Sequence, residues 1–360
     1  MKMFQRFCLF ILIPCTALSM DACRPFWKKS AEACYNDGII KRNMGDSAGA
    51  IADFTEAIEA DPKLTGAYVD RGILRAGARD YAGALTDYDE AIRLKPQDVE
   101  IYRRRGLVKL FGPEDLDGAQ ADFDRVIQMA PTWAPGYLGR AMVSTRKNDL
   151  AAASADVHRA QQIDPQSREA VLVESHIKRR QGDLKGALRL MTHAIQARPD
   201  APSFYEERFR TEMLLQDWEA VVSDTSRYSQ ITPVNRDYAN LFLWVGLVHL
   251  GKKEAAHQQL SDYLQAVPAT HLDDWPNAIA KFLLDRMTEA ELLKAADKGA
   301  PMALKGQLCE AWYYAGIKKL AAGDTAAAKE CFQKCVDTKM DSYAEYDGAA
   351  VELKKLTNSP

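Results

Sequence analysis

The chain has 360 residues, of which 27% are charged and 47% hydrophobic, and its formal net charge is −3. This length exceeds what one globular core usually holds, so an ordinary chain of this size would divide into about two or three domains. The nearly balanced charge provides no bulk attraction to nucleic acids or to anionic membranes, so we expect neither as a partner on electrostatic grounds.

The start of the chain, residues 1–22, has the features of a secretory signal peptide. Lys2 and Arg6 precede the apolar run Phe7–Leu18, which at about 12 residues is shorter than the roughly 20 that a membrane span needs. A charged start followed by a short apolar run is typical of a signal that is removed on export. We therefore predict an exported, periplasmic protein.

The end of this signal leaves two forms of the mature protein open. Cleavage after Ser19 or after Ala22 fits the preference for small residues. Ala22-Cys23 also ends like a lipobox, although Met20 and Asp21 depart from that pattern. The protein is expected to be either soluble in the periplasm or anchored to the envelope by a lipid on Cys23, which would be its route to a membrane.

A repeat of 34 or 35 residues runs through the chain, marked by prolines at Pro62, Pro96, Pro131, Pro165, Pro199, Pro233 and Pro268. An alanine stands twelve residues before five of them, at Ala50, Ala84, Ala119, Ala153 and Ala187. Small residues let two helices approach closely, and proline ends a helix because it cannot donate the next hydrogen bond. The period predicts helix–turn–helix units that stack on their neighbours, so that no single large core is needed.

The unit resembles the tetratricopeptide repeat, most closely in Ala67-Tyr68, Gly72, Tyr81-Ala82-Gly83-Ala84, Tyr88, Ala91 and Pro96. The resemblance implies an all-α fold, a right-handed superhelical solenoid of about eight helical hairpins with a concave groove lined by the first (A) helix of each hairpin. We place seven units within residues 31–268. The last two are degenerate, because Phe209, Val221 and Tyr228 stand where small residues belong.

Residues 269–308 interrupt the period and are expected to form a helical insert. An eighth unit is predicted at 309–340, followed by a capping helix and tail at 341–360, since the last unit of a solenoid needs a cover. The run Cys309–Gly316, together with Glu345-Tyr346, is similar to the tail of tetratricopeptide lipoprotein adaptors of bacterial envelopes. That resemblance implies an adaptor that docks other envelope proteins.

Three aspartates and three arginines repeat with the units, 18 residues apart: Asp53 and Arg71, Asp87 and Arg105, Asp122 and Arg140. Each aspartate is expected on the second (B) helix of one unit and each arginine on helix A of the next. We predict three ion pairs between repeats, with a row of ligand-binding charges as the alternative. The series would end where Asp156 faces the like charge of Glu174, which predicts a hinge near residues 165–175.

The helix A positions that usually line the groove carry polar and mostly basic side chains: Tyr35, Asn36, Arg42, Asn43, Asp70, Arg103, Arg104, Arg146, Arg179, Arg180 and Arg210. We predict that this row binds a partner protein or peptide, and the alternative is a solvated helix face. Asn36 and Arg104 suit a clamp for a C-terminal carboxylate. Asp70 stands where such a clamp needs asparagine, so we expect no clamp of this kind.

The cysteines beyond the signal lie at the two ends of the array, where disulfides would staple terminal repeats in an oxidising compartment. Antiparallel packing favours a Cys309–Cys335 bridge, with Cys309–Cys331 as the alternative, and Cys23–Cys34 is a second candidate. No histidine lies between 309 and 360. The three thiols there are therefore not expected to bind a metal.

The sequence contains no nucleophile elbow, phosphate loop, dinucleotide fingerprint or paired metal-binding histidines, so we expect neither catalysis nor a cofactor. It favours a scaffold for proteins or peptides. Two alternatives stay open. One is a structural protein that forms a homodimer through residues 202–268. The other is an accessory of an envelope hydrolase with its chemistry in the 269–308 insert, which contains His271, Asp273 and Asp274.

Overall fold

The computed structural model describes residues 29–232, 237–296, 301–341 and 343–358, and the predicted signal peptide and Cys23 lie outside these ranges. Within them the regular structure is nineteen α-helices and no strand, which confirms the all-α solenoid. The first fourteen helices form seven antiparallel hairpins: α1 (Ala31–Asn43) and α2 (Ser47–Ala60), α3 (Thr65–Gly77) and α4 (Tyr81–Leu94), α5 (Val99–Phe111) and α6 (Leu116–Met129), α7 (Ala134–Arg146) and α8 (Leu150–Ile163), α9 (Arg168–Arg180) and α10 (Leu184–Ala197), α11 (Pro202–Leu215) and α12 (Trp218–Ile231), α13 (Asp237–His249) and α14 (Lys253–Ala266).

The turns of the first six hairpins share one construction. The side chain of an aspartate accepts a hydrogen bond from the backbone N–H three residues further on, in Asp46, Asp80, Asp115, Asp149, Asp183 and Asp217. This bond satisfies a donor that the start of a helix leaves free. The residue before each aspartate has a left-handed backbone, as in Gly45 with φ 83° and Arg79 with φ 62°. The turn therefore reverses the chain and begins helix B within a few residues.

Close contact inside a hairpin depends on glycine. An aromatic ring of helix B lies against a glycine of helix A in the pairs Phe54 and Gly38, Tyr88 and Gly72, and Phe123 and Gly106. A methyl group on Gly38 would come within 2.6 Å of the Phe54 ring, so a larger residue would force the helices apart. The same contact joins Gly316 and Phe332 near the end of the chain.

The remaining chain forms a 3-10 turn (Ala269–His271) and five helices: α15 (Trp275–Leu283), α16 (Glu289–Ala296), α17 (Pro301–Ala321), α18 (Thr325–Asp337) and α19 (Ala344–Asn358). Helix α17 begins eight residues ahead of Cys309, where the eighth unit was predicted to start. Proline suits the first position of a helix, which fits this earlier start. Among the described residues, no helix is both long and apolar enough to cross a bilayer.

The two degenerate hairpins share a core with these C-terminal helices. One continuous apolar cluster contains Phe209 of α11, Trp244 of α13, Leu283 of α15 and Phe332 of α18. The rings of Phe209 and Phe242 lie 5.4 Å apart between centroids. Two of the large residues that break the repeat pattern, Phe209 and Val221, therefore belong to this shared core, while Tyr228 packs against a neighbouring cluster.

The predicted ion pairs between repeats are wrong in their partners. Arg71 binds Asp87 of its own hairpin through two hydrogen bonds of 3.1 and 2.6 Å, and not Asp53. Arg105 binds Asp122 through bonds of 2.9 and 2.5 Å, and Arg140 binds Asp156 through two bonds of 2.8 Å. Asp87 and Asp122 each lie 16 or 17 residues after one arginine and 18 before the next. Spacing alone therefore does not show whether an aspartate pairs with the arginine of its own hairpin or with that of the next. The closer packing within a hairpin favours the first.

The same arginines nevertheless connect the repeats. Arg105 also binds Asp89 of the preceding hairpin at 2.6 Å, and Arg140 binds Asp124 at 2.8 Å. These acceptors stand two positions after the buried aspartates and are more exposed. The link between repeats therefore exists, but through a neighbouring residue of helix B.

The fifth hairpin departs from this arrangement. Glu174 and Leu190 stand at its arginine and aspartate positions. Glu174 accepts a hydrogen bond from Gln161 at 2.7 Å, while Asp156 is bound by Arg140. The like-charge contact that predicted a hinge near residues 165–175 therefore does not occur.

Removing one buried carboxylate should destabilise the array strongly. The Asp122 side chain is 4% exposed and is bound by Arg105 and Lys109, so Asp122→Asn removes the buried charge that both cations face and leaves Arg105 only the exposed Asp89. This loss is expected to cost about 3–5 kcal/mol. The matched control Asp124→Asn removes an exposed acceptor and should cost about 0–1 kcal/mol. Urea unfolding followed by circular dichroism measures both, and equal midpoints for the two variants would contradict this role for Asp122.

The predicted disulfide partners lie side by side. The Sγ atoms of Cys309 and Cys335 are 3.4 Å apart as buried free thiols, between α17 and α18. Cys331 and Cys34 are also buried and free, and Cys34 has Glu56 at 3.9 Å. The Cys309–Cys335 bridge stays a prediction for the protein folded under oxidising conditions.

Thiol counting tests this bridge. The protein, folded in an oxidising compartment and then unfolded under acid, should lose two reactive thiols relative to the reduced protein. Cys331→Ser should keep this difference, whereas Cys335→Ser should abolish it. Retention of the difference in Cys335→Ser would assign the bond to other cysteines.

Candidate partner-binding groove

The A helices of the first two hairpins are joined by a polar network. Tyr35 donates a hydrogen bond of 2.7 Å to Asp70, and Arg42 donates one of 2.6 Å to the other oxygen of the same carboxylate. Burial and then Asp70 raise the pKa of Tyr35 to about 12. Asp70, which does not suit a carboxylate clamp, thus orders two predicted groove residues from the neighbouring helix. Asn36 and Asn43 are exposed on α1.

The third and fourth hairpins continue this surface with a basic character. Glu100 accepts bonds from Arg103 (2.7 and 2.8 Å) and pairs with Arg104 (2.7 Å). Burial works against its ionisation, but the two guanidinium groups hold the pKa of Glu100 below its usual value. One carboxylate thus faces two cations, which leaves a positive excess. The Arg103 guanidinium also lies over the Trp133 ring, 5.9 Å from its centroid, where a cation is attracted by the π face.

Arg146 of α7 binds Glu114, in the turn that joins α5 to α6. Its contact joins two neighbouring hairpins, as do those of Tyr35 and Arg42. Six of the predicted groove residues thus take part in side-chain bonds on the first four hairpins. Because these bonds fix long side chains in place, the surface is largely pre-organised for a ligand.

The fifth and sixth hairpins differ, because the chain's own C-terminal segment occupies them. Arg179 binds Asp347 at 3.1 Å and lies 3.4 Å from Glu207, and its side chain is only 7% exposed. Arg180 binds Asp341 at 3.0 Å. These two arginines were predicted to bind a partner, and in the structure they bind residues 341–347. We call this contact the C-terminal clamp.

Further contacts of α19 extend the clamp. Glu352 accepts a hydrogen bond from Gln216 at 3.2 Å and lies 3.7 Å from His249. Burial and the charges of the neighbouring arginines, above all Arg179, lower the pKa of His176 to about 3. His176 is therefore neutral at physiological pH, and the positive charge at this site comes from arginine.

The C-terminal clamp was not predicted from the sequence, because α19 was expected only to cover the last unit. It does cover that unit, since Tyr346, Leu353 and Leu356 pack against the shared core. The available signal was the acidic pair Asp341 and Asp347, which matches the arginines on α9. Nothing in a linear repeat indicates which distant unit such residues reach.

The insert shows simple local pairing at its titratable residues. His271 lies 3.0 Å from Asp274, and Lys281 binds Asp273 at 3.2 Å, all near the surface. Over the described parts of the chain, no group of three His, Cys, Asp or Glu side chains is arranged to hold a metal ion.

Loss of the clamp should loosen α19. The double variant Asp341→Asn, Asp347→Asn removes two charge-assisted bonds, each worth about 1.5–3 kcal/mol, and screening by solvent lowers the total because both carboxylates are about one-third exposed. Hydrogen exchange of the α19 amides should accelerate about tenfold or more. The control Asp337→Asn lies on the exposed face of α18 and should not change it. Unchanged α19 protection in the double variant would show that apolar packing alone holds the helix.

Comparison with known proteins gives one match of a family model, to the tetratricopeptide repeat over residues 31–64. The search among curated proteins finds no match. Similar solved structures include a tetratricopeptide repeat protein from Parabacteroides merdae, with 12% identity over 90% of this chain and 98% of that chain and a TM-score of 0.48. MamA from Desulfovibrio magneticus has 20% identity over 46% of this chain and 93% of that chain, with a TM-score of 0.41. PilW, a type IV pilus biogenesis factor, has 18% identity over 66% and 94%, with a TM-score of 0.40.

These structural likenesses are too low to carry information about function. The matched unit contains α1 and α2, the first hairpin. The six hairpins after it repeat its helix lengths, and five of them also repeat its aspartate-capped turn. Because one construction runs through the array, the chain folds as a tetratricopeptide-repeat solenoid that begins with the matched unit.

Proposed function

We propose that the protein is a non-catalytic scaffold that binds a partner protein or peptide along the A helices of its first four hairpins. The observation that carries this proposal is the contrast along the groove. On α9 the predicted groove residues Arg179 and Arg180 are bound by Asp347 and Asp341 of the chain's own C-terminal segment, and the Arg179 side chain is only 7% exposed. On α1 and α5, Arg42 and Arg104 each keep about a third of their side-chain surface exposed, at 32%.

An apolar rim beside this surface supports a protein as the ligand. Five large hydrophobic side chains of the described residues are exposed, and three of them stand at the C-terminal ends of A helices in the first four hairpins: Ile40, Met44 and Phe111. Exposed apolar residues next to ordered polar groups are typical of protein-binding surfaces. A partner segment would bond to the arginines and cover this rim.

We further propose that the protein acts in the bacterial cell envelope as an adaptor. Support comes from the N-terminal sequence, in which Lys2 and Arg6 precede the apolar run Phe7–Leu18. Attachment through a lipid on Cys23 belongs to the same proposal. Homodimer formation through residues 202–268 is less favoured, because Phe209 and Trp244 of that region are buried in the chain's own core.

Charge reversal in the groove should weaken partner binding. The variant Arg42→Glu, Arg104→Glu changes two exposed cations of the A helices and leaves the clamp intact. The control Arg93→Glu, Arg159→Glu makes the same charge change on exposed positions of B helices. After a partner is identified by pull-down from envelope extract, calorimetry should give at least a tenfold higher Kd for the groove variant and an unchanged Kd for the control.

Circular dichroism of both variants should match the unaltered protein, since neither pair is buried. Equal partner affinity for the two variants would rule out the A-helix surface of the first four hairpins. Binding lost in both would point to bulk charge rather than to this groove.

A further inference from the structure

A cavity of about 300 Å³ opens between the sixth and seventh hairpins and the start of α19. Its walls are mainly aromatic, from Phe209, Tyr238, Phe242 and Tyr343. Its polar groups are Glu345, Glu206 and Arg210. A concave, apolar site with a few converging polar groups is the usual form of a ligand pocket.

Two buried carboxyl groups are connected to this cavity: Glu345 is part of its wall, and Glu310 is bonded to the wall residue Tyr238. Tyr238 donates hydrogen bonds of 3.0 and 3.2 Å to Glu310, and the Trp275 indole N–H donates one of 2.5 Å to the same carboxyl group. Tyr314 donates a bond of 3.2 Å to Glu345. Glu310 and Glu345 are each 4% exposed. Within the described part of the chain, the side-chain hydrogen bonds to these two carboxyl groups come from neutral donors, and no ion pair to either group is formed.

The pKa values of Glu310 and Glu345 are raised, as expected for buried carboxyl groups that no cation neutralises fully. Burial, followed by repulsion from Glu345, raises the pKa of Glu310 to about 8. Burial also raises the pKa of Glu345, and the charge of Arg210 only partly opposes this. Arg210 acts on Asp347 as well, so its single charge is shared. The charge of Arg79, in the turn between α3 and α4, partly opposes the rise in the pKa of Glu310.

We propose that this cavity binds a primary ammonium group carried on an apolar stem, such as a lysine side chain. The methylene groups of such a stem would lie against Phe209 and Phe242, as lysine stems do on apolar surfaces. The ammonium group would reach Glu345 and the faces of Tyr238 and Tyr343, which attract cations. Its charge would favour ionisation of Glu345 and Glu310, so binding would release protons.

Such an ammonium group could belong to a free alkylamine or to a lysine of a partner segment. Identification of the source as a partner's lysine rests on the proposed function, whereas binding of a free amine does not. The cavity shares Glu206 and Arg210 with a second cavity of about 250 Å³ beside His176 and Asp347. A segment that crosses the groove could therefore reach this pocket along the edge of the clamp.

The test uses n-butylammonium as the probe and the Trp275 indole N–H as the reporter, observed by nuclear magnetic resonance in the full chain and assigned with Trp275→Phe. Butylammonium should shift this resonance in a saturable way, and 1-butanol, with the same stem and no charge, should not. Glu345→Gln, which can still accept the bond from Tyr314, should weaken butylammonium binding at least tenfold. Glu219→Gln changes an exposed carboxylate on α12 and should have no effect.

Calorimetry in two buffers with different ionisation enthalpies should show proton release on binding to the unaltered protein and less release with Glu345→Gln. Equal shifts with butylammonium and butanol, or equal affinity in Glu345→Gln, would overturn the proposal. A five-residue peptide with one lysine and blocked ends separates the sources. If this peptide displaces butylammonium, a partner's lysine is supported as the ligand. If the free diamine cadaverine displaces butylammonium and the peptide does not, the site is limited to free amines. If the partner assay fails while butylammonium binds, the scaffold proposal fails alone.

Discussion

The array depends on a buried aspartate that forms an ion pair between the two helices of a hairpin. An aspartate at the seventh position of helix B is bound by arginine or lysine of helix A in hairpins one to four and six. A buried anion without a cation would be very costly, so the pair fixes how the two helices face each other. The same arginines also contact the preceding hairpin, as Arg105 contacts Asp89. One interaction thus sets both the geometry within a unit and its alignment with the next.

The fifth hairpin lacks this pair, and it is also where the C-terminal clamp is attached. Glu174 and Leu190 replace the arginine and the aspartate, while Arg179 and Arg180 of the same α9 bind Asp347 and Asp341. The unit without the buried arginine–aspartate pair is therefore held by ion pairs to the C-terminal segment. This exchange divides the inner surface into an open part on the first four hairpins and a covered part behind it.

How much could be predicted from the sequence follows from the range of each interaction. Turns, hairpins and the Gly38–Phe54 type of contact are local and periodic, so the prolines and alanines were sufficient to predict them. The residues of the ion pairs were found, but not the partners, because Asp87 lies almost midway between Arg71 and Arg105 in the chain. The clamp and the carboxyl pair Glu310 and Glu345 join segments far apart in sequence. Periodicity contains no information about such contacts, and aromatic residues that marked degeneracy turned out to build a cavity.

The clamp also changes how the molecule can reach its folded state. A repeat array usually folds unit by unit through nearest-neighbour contacts. Here Arg179 must wait for a partner 168 residues further along the chain. Because synthesis proceeds from the N-terminus, the first four hairpins can assemble while the clamp is still unmade. The fifth hairpin, by contrast, leaves Arg179 without its partner Asp347 until α19 has been synthesised and has folded against it. The first four hairpins can therefore fold during synthesis, whereas the fifth and sixth gain their contacts with α19 only after the whole chain has been made. Truncation near residue 340 would consequently destabilise hairpins far upstream of the cut.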